Sequence, residues 1–159
     1  MELRKKILSR EIASQVLEKE RGKGKKIVFT NGVFDILHRG HVELLLFAKS
    51  LGDILVIGLN TDDSARRLKG GDRPYNSFGD RAFVLAALSL VDYIVGFSED
   101  TPLELIQEIS PDVLVKGGDY KIEEIVGADY VASRGGKVVV APYREGYSTS
   151  SLIEKIRKK

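Results

Sequence analysis

The sequence predicts a doubly wound α/β fold, a five-stranded parallel sheet with helices on both faces. Five short runs are continuously apolar and rich in β-branched residues, as strands are when a sheet is covered on both sides. Helical patterns separate these runs, and strand–helix–strand order with right-handed crossovers builds a parallel sheet. Polar and glycine residues gather just after the apolar runs, where such sheets bind ligands.

The elements follow in order. Ser9 caps a helix over about Arg10 to Arg21, with Ile12, Val16 and Leu17 as its apolar stripe. Gly22-Lys23-Gly24 ends it. Lys26 to Thr30 reads as the first strand, and the helix after the histidines places Val42, Leu45 and Leu46 on one face. Asp53 to Gly58 is the second strand. A polar, glycine-containing stretch follows, TDDSARRLKGGDRPYNSFGD, with no element assigned to its first half. A helix near Asp80 to Val91 carries Val84, Ala87, Leu88 and Val91 at i, i+3, i+4 and i+7. Tyr93 to Phe97 is the third strand and Pro102 to Ile109 the next helix. Asp112 to Lys116 and Lys137 to Ala141 are the last two strands, and a helix from about Thr149 to Arg157 closes the chain. With no repeat or linker, we expect one domain over 1–159, a helical extension over 1–24 followed by an α/β unit over 25–159.

Composition narrows the function. Hydrophobic residues at 43% and charged residues at 30% suit a globular domain, not a disordered chain. A net charge of +2 gives no general reason to expect nucleic-acid binding. No apolar run approaches the roughly 20 residues of a membrane helix, and the start lacks the apolar core of a secretion signal. A cytoplasmic protein is the expectation. The absence of cysteine excludes disulfides, thiolate nucleophiles and Cys-ligated zinc.

The residues after the strands are Asn31-Gly32-Val33-Phe34-Asp35, Asn60-Thr61-Asp62, Ser98-Glu99-Asp100, Lys116-Gly117-Gly118-Asp119 and Arg144-Glu145-Gly146. The chain's only two histidines, His38 and His41, follow the first group. Three apart in a first helical turn, they point together. A helix amino terminus offers free N–H groups and partial positive charge, and Gly40 lets an anion approach the backbone. These features suit phosphate. Three alternatives stand beside that reading. HxxH can be half of a metal site, completed by Asp or Glu. Either histidine can simply cap or pack. A dinucleotide turn lacks its G-x-G-x-x-G here, and the upstream GKGKK precedes its strand without P-loop spacing.

GVFDILHRGH matches the G-x-F-D-x-x-H-x-G-H signature, and GYSTSSLIEKI supplies a Ser/Thr-rich helix start near the carboxyl end. In both, the chain resembles the cytidylyltransferase-like nucleotidyltransferases, which have a Rossmann-like fold. Within that superfamily RRLKGGDRP, DRAFVLAAL, EDTPLELI and PDVLVKGGDY resemble the heptose 1-phosphate adenylyltransferases, from about Ser9 to the end. The resemblance implies ATP and a sugar 1-phosphate as substrates, Mg²⁺ entering with ATP, a homodimer, and a separate heptose kinase as functional neighbour. No metal ligand from the protein is assigned with it, though Asp35 could help hold Mg²⁺, or else orient the backbone or a neighbouring side chain.

It also implies roles. His38, His41 and Lys69 would be catalytic. Thr30, Asn31, Gly32, Phe34, Asp35 and Gly40 would meet the nucleotide, as would Arg81, Tyr147, Ser148 and Thr149. Asp62, Arg73, Lys116, Gly117 and Asp119 would meet the sugar phosphate. Each residue has a plainer reading. Ser148 and Thr149 suit helix capping, and Lys69 and Arg73 suit a solvated loop. Asp35 suits a turn, and Lys116 and Asp119 flank glycines that suit one too. Arg81 near a helix start is a mild misfit that calls for a phosphate or a buried carboxylate, unless it is simply solvated beside Asp80. Asp62 and Asp92 are expected to support the site. Family members often carry Cys where this chain has Val33 and Tyr147. The same chemistry with CTP and glycerol 3-phosphate, a non-catalytic nucleotide-binding module and a metal-dependent hydrolase remain as other readings.

Overall fold

The computed structural model describes residues 2–142 and 145–159; Arg144, singled out above, lies outside them. Six parallel strands form one sheet in the order β1-β4-β3-β2-β5-β6. They are β1 (Ile7–Leu8), β2 (Ile27–Gly32), β3 (Ile54–Asn60), β4 (Tyr93–Phe97), β5 (Val113–Gly117) and β6 (Lys137–Ala141). The helices are α1 (Arg10–Gly22), α2 (Arg39–Lys49), α3 (Asp62–Lys69), α4 (Phe78–Ala86), α5 (Leu103–Ile109), α6 (Ala128–Ser133) and α7 (Thr149–Arg157). The doubly wound α/β class is as expected, with one strand more. The extra strand, β1, is only two residues long and pairs at the sheet edge as Ile7↔Ile94 and Leu8↔Val95. Two residues cannot display a period.

Both faces of the sheet are covered. On one, Leu45 and Ala48 of α2 and Ala82, Leu85 and Ala86 of α4 pack on Val28, Leu55 and Ile57. On the other, α1, α5 and α6 pack Leu17, Leu105, Ile106 and Val131 against Ile27, Phe29 and Val56. Each such Val, Leu, Ile or Phe side chain, taken fully from water, contributes about 1.5–3 kcal/mol, which is enough to decide which stripe of a helix faces inward.

Three stripes differ from expectation. Ala13 and Leu17 anchor α1 while Ile12 is exposed, and Leu45 and Ala48 anchor α2 while Leu46 is exposed. In α4 the inward face is Arg81, Ala82, Leu85 and Ala86, whereas Val84 and Ala87 face out. The cause in α4 is polar. The Arg81 guanidinium donates to the carbonyls of Val33 and Asn60, both at 2.8 Å, and this fixes the rotation of the helix. The helix also starts at Phe78, capped by Ser77, and stops at Ala86, well before Val91.

Helix α3 forms inside the stretch that showed no apolar period. Thr61 caps it, Asp62 and Asp63 lie in its first turn, and Arg66, Arg67 and Lys69 lie in its last. That charge order complements the helix dipole. Helix α6 likewise fills a region with no element assigned from sequence.

The strand pairing opens the site. Strand β2 meets β5 only at Val28↔Val113 and Phe29↔Leu114. Beyond that point Thr30, Asn31 and Gly32 pair with β3, while Val115, Lys116 and Gly117 pair with β6. A crevice therefore opens between the carboxyl ends of β2 and β5, where the strand order reverses.

The core tolerates little extra volume. A Cβ on Gly58 would sit 2.6 Å from Phe29 Cζ and 3.2 Å from Leu105 Cδ2. Gly58→Ala is expected to lower stability by about 1–3 kcal/mol in urea unfolding, through overpacking.

Candidate active site

The crevice holds a cavity of about 660 Å³, inside the range of roughly 300–1,000 Å³ typical of small-molecule sites. Its floor is the turn after β2. Phe34 adopts φ 49°, a left-handed conformation uncommon for an aromatic residue. Its ring lies 5.2 Å from that of His41. The strained turn thus places an aromatic wall behind the histidine pair.

His38 is the amino-terminal cap of α2 and His41 lies in its first turn. Their rings stack with centroids 3.8 Å apart. The His38 backbone N–H donates to His41 Nδ1 at 3.3 Å. An accepting Nδ1 puts the neutral ring's proton on Nε2, where it can be donated to a ligand. Burial, and then the neighbouring His38, pushes the His41 imidazole down to about 4. Burial lowers His38 as well. Both rings are therefore neutral donors at physiological pH. Gly40 fits tightly between them and α7, because a Cβ there would lie 2.9 Å from both His38 Cε1 and Tyr147 Cβ.

The amino terminus of α7 faces the same cavity, through Ser148, Thr149 and Ser150. Ser148 Oγ accepts from the Ser151 N–H at 3.0 Å, the capping role weighed above. Thr149 Oγ1 donates to the Ile36 carbonyl at 3.3 Å and ties α7 to the histidine turn. Arg39 covers the Tyr147 ring at 5.8 Å. Two helix starts, of α2 and α7, thus bring partial positive charge to one cavity.

Lys69, at the end of α3, and Lys116, near the end of β5, also line it. Burial, with the Lys69 charge second, pushes the Lys116 ammonium down. Lys116 lies over the Tyr120 ring at 5.3 Å. Among the described residues neither lysine forms an ion pair with a carboxylate. Two facing ammonium groups without an acid suit an anion.

Asp35, Arg73, Arg81 and Asp62 are already occupied. The buried Asp35 carboxylate accepts from the Tyr75 and Asn76 N–H groups, each at 2.9 Å, and from Arg73 Nε at 2.8 Å. Burial raises its pKa, but the donors at Asn76, Tyr75 and Arg73 outweigh this, and the carboxyl stays below its usual range. Arg81 is 2% exposed and donates to Asp62 at 2.7 Å besides its carbonyl partners, so two carbonyls and a half-exposed carboxylate, not a buried one, resolve its misfit. Asp92 binds Lys49 and the Leu55 N–H at the opposite end of the sheet.

The cavity therefore gathers Asn31, Gly32, Phe34, Asp35, His38, Gly40 and His41 with Lys69, Arg73, Lys116, Gly117, Tyr147, Ser148 and Thr149. Thr30, Asp62, Arg81 and Asp119 lie outside its lining. Thr30 is fully buried under α2, and Asp119 is exposed. Sequence reasoning missed the apolar wall formed by Leu44 and Phe47, together with Ala141 and Pro142. Leu44 and Phe47 follow Gly40 by four and seven residues, a helical spacing that points them to the phosphate end. Among the described residues no helix is long and apolar enough to cross a membrane.

A family model described as cytidylyltransferase-like matches residues 29–155. The chain belongs to the cytidylyltransferase-like family. It is a nucleotidyltransferase. It is 56% identical over 156 residues to the "Bifunctional protein HldE" of Syntrophotalea carbinolica, which covers 98% of this chain and 32% of the relative. It is 54% identical over 151 residues to the protein of that name from Citrifermentans bemidjiense, covering 95% and 31%. The chain spans about a third of the length of these curated relatives. Among solved structures it is similar to the lipopolysaccharide core biosynthesis protein of Thermoplasma volcanium, at 30% identity and TM-score 0.63, covering 79% of this chain and 100% of that one. The pantoate-beta-alanine ligase of Francisella tularensis, at 17% identity and TM-score 0.63 over 96% of this chain and 79% of its own, shares the fold.

Two outcomes check the site. Gly40→Ala is expected to displace His38 and Tyr147 and lower kcat/KM about tenfold or more, measured by pyrophosphate release. The second concerns pH. The unfolded imidazole titrates near 6.5, while folded His41 titrates at about 4. The unfolded chain therefore holds more protons between these values. The contribution of His41 to stability is full above about 6.5 and is lost as pH falls toward 4, on the order of 3 kcal/mol. His41→Gln should flatten that slope in urea unfolding at stepped pH.

Proposed function

We propose that the chain transfers the AMP part of ATP to D-glycero-β-D-manno-heptose 1-phosphate. The products are ADP-heptose and pyrophosphate, and the activated sugar serves lipopolysaccharide core precursor synthesis. One observation carries the reading: two helix starts, two neutral imidazoles and two unpaired lysines face one cavity at the sheet's switch point. That cavity is built to hold several phosphates, in a chain whose curated relatives are named HldE.

A phosphate oxygen of the sugar attacks the α-phosphorus in line. The new P–O bond forms as the bond from the α-phosphorus to the β-bridging oxygen breaks, and that oxygen leaves on pyrophosphate. The attacking group is already an anion, so no general base is required. The work is alignment and charge stabilisation. His41 Nε2–H and the His38 ring donate to the α and β phosphates as charge grows on them. Ser148, Thr149 and the α7 backbone hold the departing pyrophosphate, with Lys69 beside it. Lys116 and the Gly117-Gly118 turn hold the sugar phosphate, with Leu44 and Phe47 as the dry wall beneath.

Mg²⁺ belongs to this reading as part of the nucleotide substrate. Among the described residues no three carboxylate or imidazole groups cluster as metal ligands, and the Asp35 oxygens already accept from three residues. Phosphate oxygens and water suit the ion's octahedral demand. The acceptor is a sugar 1-phosphate, so a sugar kinase must supply it. A separate chain for that kinase, a homodimeric assembly and a cytoplasmic setting belong to the same proposal.

The test pairs each of the four common nucleoside triphosphates with heptose 1-phosphate and with glycerol 3-phosphate, followed by mass analysis. ADP-heptose is the expected product. A CDP product from glycerol 3-phosphate would replace this reading with the cytidylyl one, and ATP binding without any pyrophosphate release would make the chain a binding module. His41→Ala is expected to cut turnover about a hundredfold, the effect of removing one transition-state donor.

A further inference from the structure

Asp35 borders the nucleotide cavity, yet its side chain is fully shielded from solvent. All of its bonding capacity is directed at one loop, residues 70–77. The carboxylate takes the backbone N–H groups of Tyr75 and Asn76 and the Arg73 guanidinium, at 2.8–2.9 Å. Its own carbonyl accepts from Asn76 Nδ2 at 2.7 Å. Four donors, one of them charged, thus converge on a single residue three positions before His38. Charge-assisted bonds of this kind are the strong ones.

The loop they hold begins at Lys69. Gly70 leaves the end of α3 with φ 114°, open to a residue without a side chain and costly to others. Nothing else in the first half of the loop is buried: Lys69, Gly70, Gly71 and Asp72 are all exposed. The direction of the Lys69 amine into the cavity therefore depends on where the other end of the loop is fixed. On its outer side Arg157 of α7 donates to Tyr75 Oη at 2.9 Å and to Asp72 at 3.3 Å. Those groups are largely exposed, so this contact is worth little alone. The inner anchor is the strong one.

We infer that Asp35 is a positioning residue: it touches neither nucleotide nor metal, and acts by clamping the 70–77 loop so that Lys69 faces the phosphates. The inference rests on the nucleotidyl-transfer reading only for its turnover arm. It gives a physical reason for an acid beside a site otherwise built for anions. A free carboxylate there would repel a triphosphate. A carboxylate saturated by three donors does not, and it fixes an ammonium nearby.

The experiment uses the full chain and three measurements: trypsin cleavage after Lys69 without substrate, kcat with KM for ATP, and the Mg²⁺ concentration for half-maximal rate. In Asp35→Asn one acceptor becomes a donor facing Arg73. Cleavage after Lys69 is expected to rise about tenfold as the loop loosens, since access follows local opening. Turnover should fall about 10- to 100-fold with the Mg²⁺ requirement unchanged, the cost of losing charge-assisted bonds that hold a catalytic group. In a Lys69→Ala background the same substitution should cost no more than about twofold, because residues acting through one another are not additive. Asn76→Ala, which removes only the bond to the Asp35 carbonyl, should move cleavage and turnover in the same directions by about threefold and keeps the test open if Asp35→Asn does not fold. Losses that multiply with Lys69→Ala, a shifted Mg²⁺ requirement, or unchanged cleavage after Lys69 would each overturn the inference. The trypsin arm needs no turnover, so it decides the loop's role even where no ADP-heptose is made.

Discussion

The site depends on a parting of two strands. After two residue pairs, β2 and β5 stop sharing a ladder and follow β3 and β6 instead. Helices α2 and α4 then occupy one face, and α1, α5 and α6 the other. Because the chain winds away from β2 in both directions, a gap opens at the carboxyl ends of β2 and β5. Backbone groups and the first turn of α2 border it directly. The closing helix α7 returns there and adds a second amino terminus. The cavity is thus a consequence of strand order and not of any one side chain, which is why its position was legible before its lining was.

Within that gap the protein separates two kinds of cation. Arg73 and Arg81 are shielded and matched with Asp35 and Asp62, and they hold loops and a helix in place. Lys69 and Lys116 both line the cavity, without an acid partner among the described residues. Burial of Lys116 beside Lys69 costs stability, and its lowered pKa reports that cost. The stacked histidines carry a similar cost, being held neutral by burial. The arrangement is unfavourable for the empty protein and favourable once polyanionic charge enters. On the proposed reading, that asymmetry favours the transition state, because the interactions strengthen as charge moves from the α-phosphorus to the leaving group.

Much of this was readable from residues. The strands Tyr93–Phe97 and Lys137–Ala141 fall where their apolar runs place them, and the other three lie within two residues of expectation. The histidine pair, the Ser148-Thr149 helix start and the Lys116-Gly117 turn all meet at one cavity. What escaped did so for physical reasons. DDSARRLK forms a helix on caps and dipole-matched charges, with no apolar stripe to announce it. The rotation of α4 is set by a buried arginine bound to carbonyls on two distant strand ends, information that no local period contains. Thr30 is buried with the residues before it in β2, a strand covered on both faces, and lies outside the cavity lining.

The two departures from the family pattern differ in kind. Val33 is 7% exposed, and its carbonyl is the group in use, accepting from Arg81. Any side chain of similar size would serve there, because the backbone makes the contact. Tyr147 is 38% exposed at the rim of the cavity, with its Cβ against Gly40 and its ring under Arg39. A small residue at that position would leave Arg39 without its aromatic partner and widen the mouth beside the α7 amino terminus. The more exposed of the two departures therefore sits at the mouth of the cavity. On the proposed reading, the transfer chemistry belongs to the two helix starts and the groups they carry, and the departure at Tyr147 lies beside them at the rim.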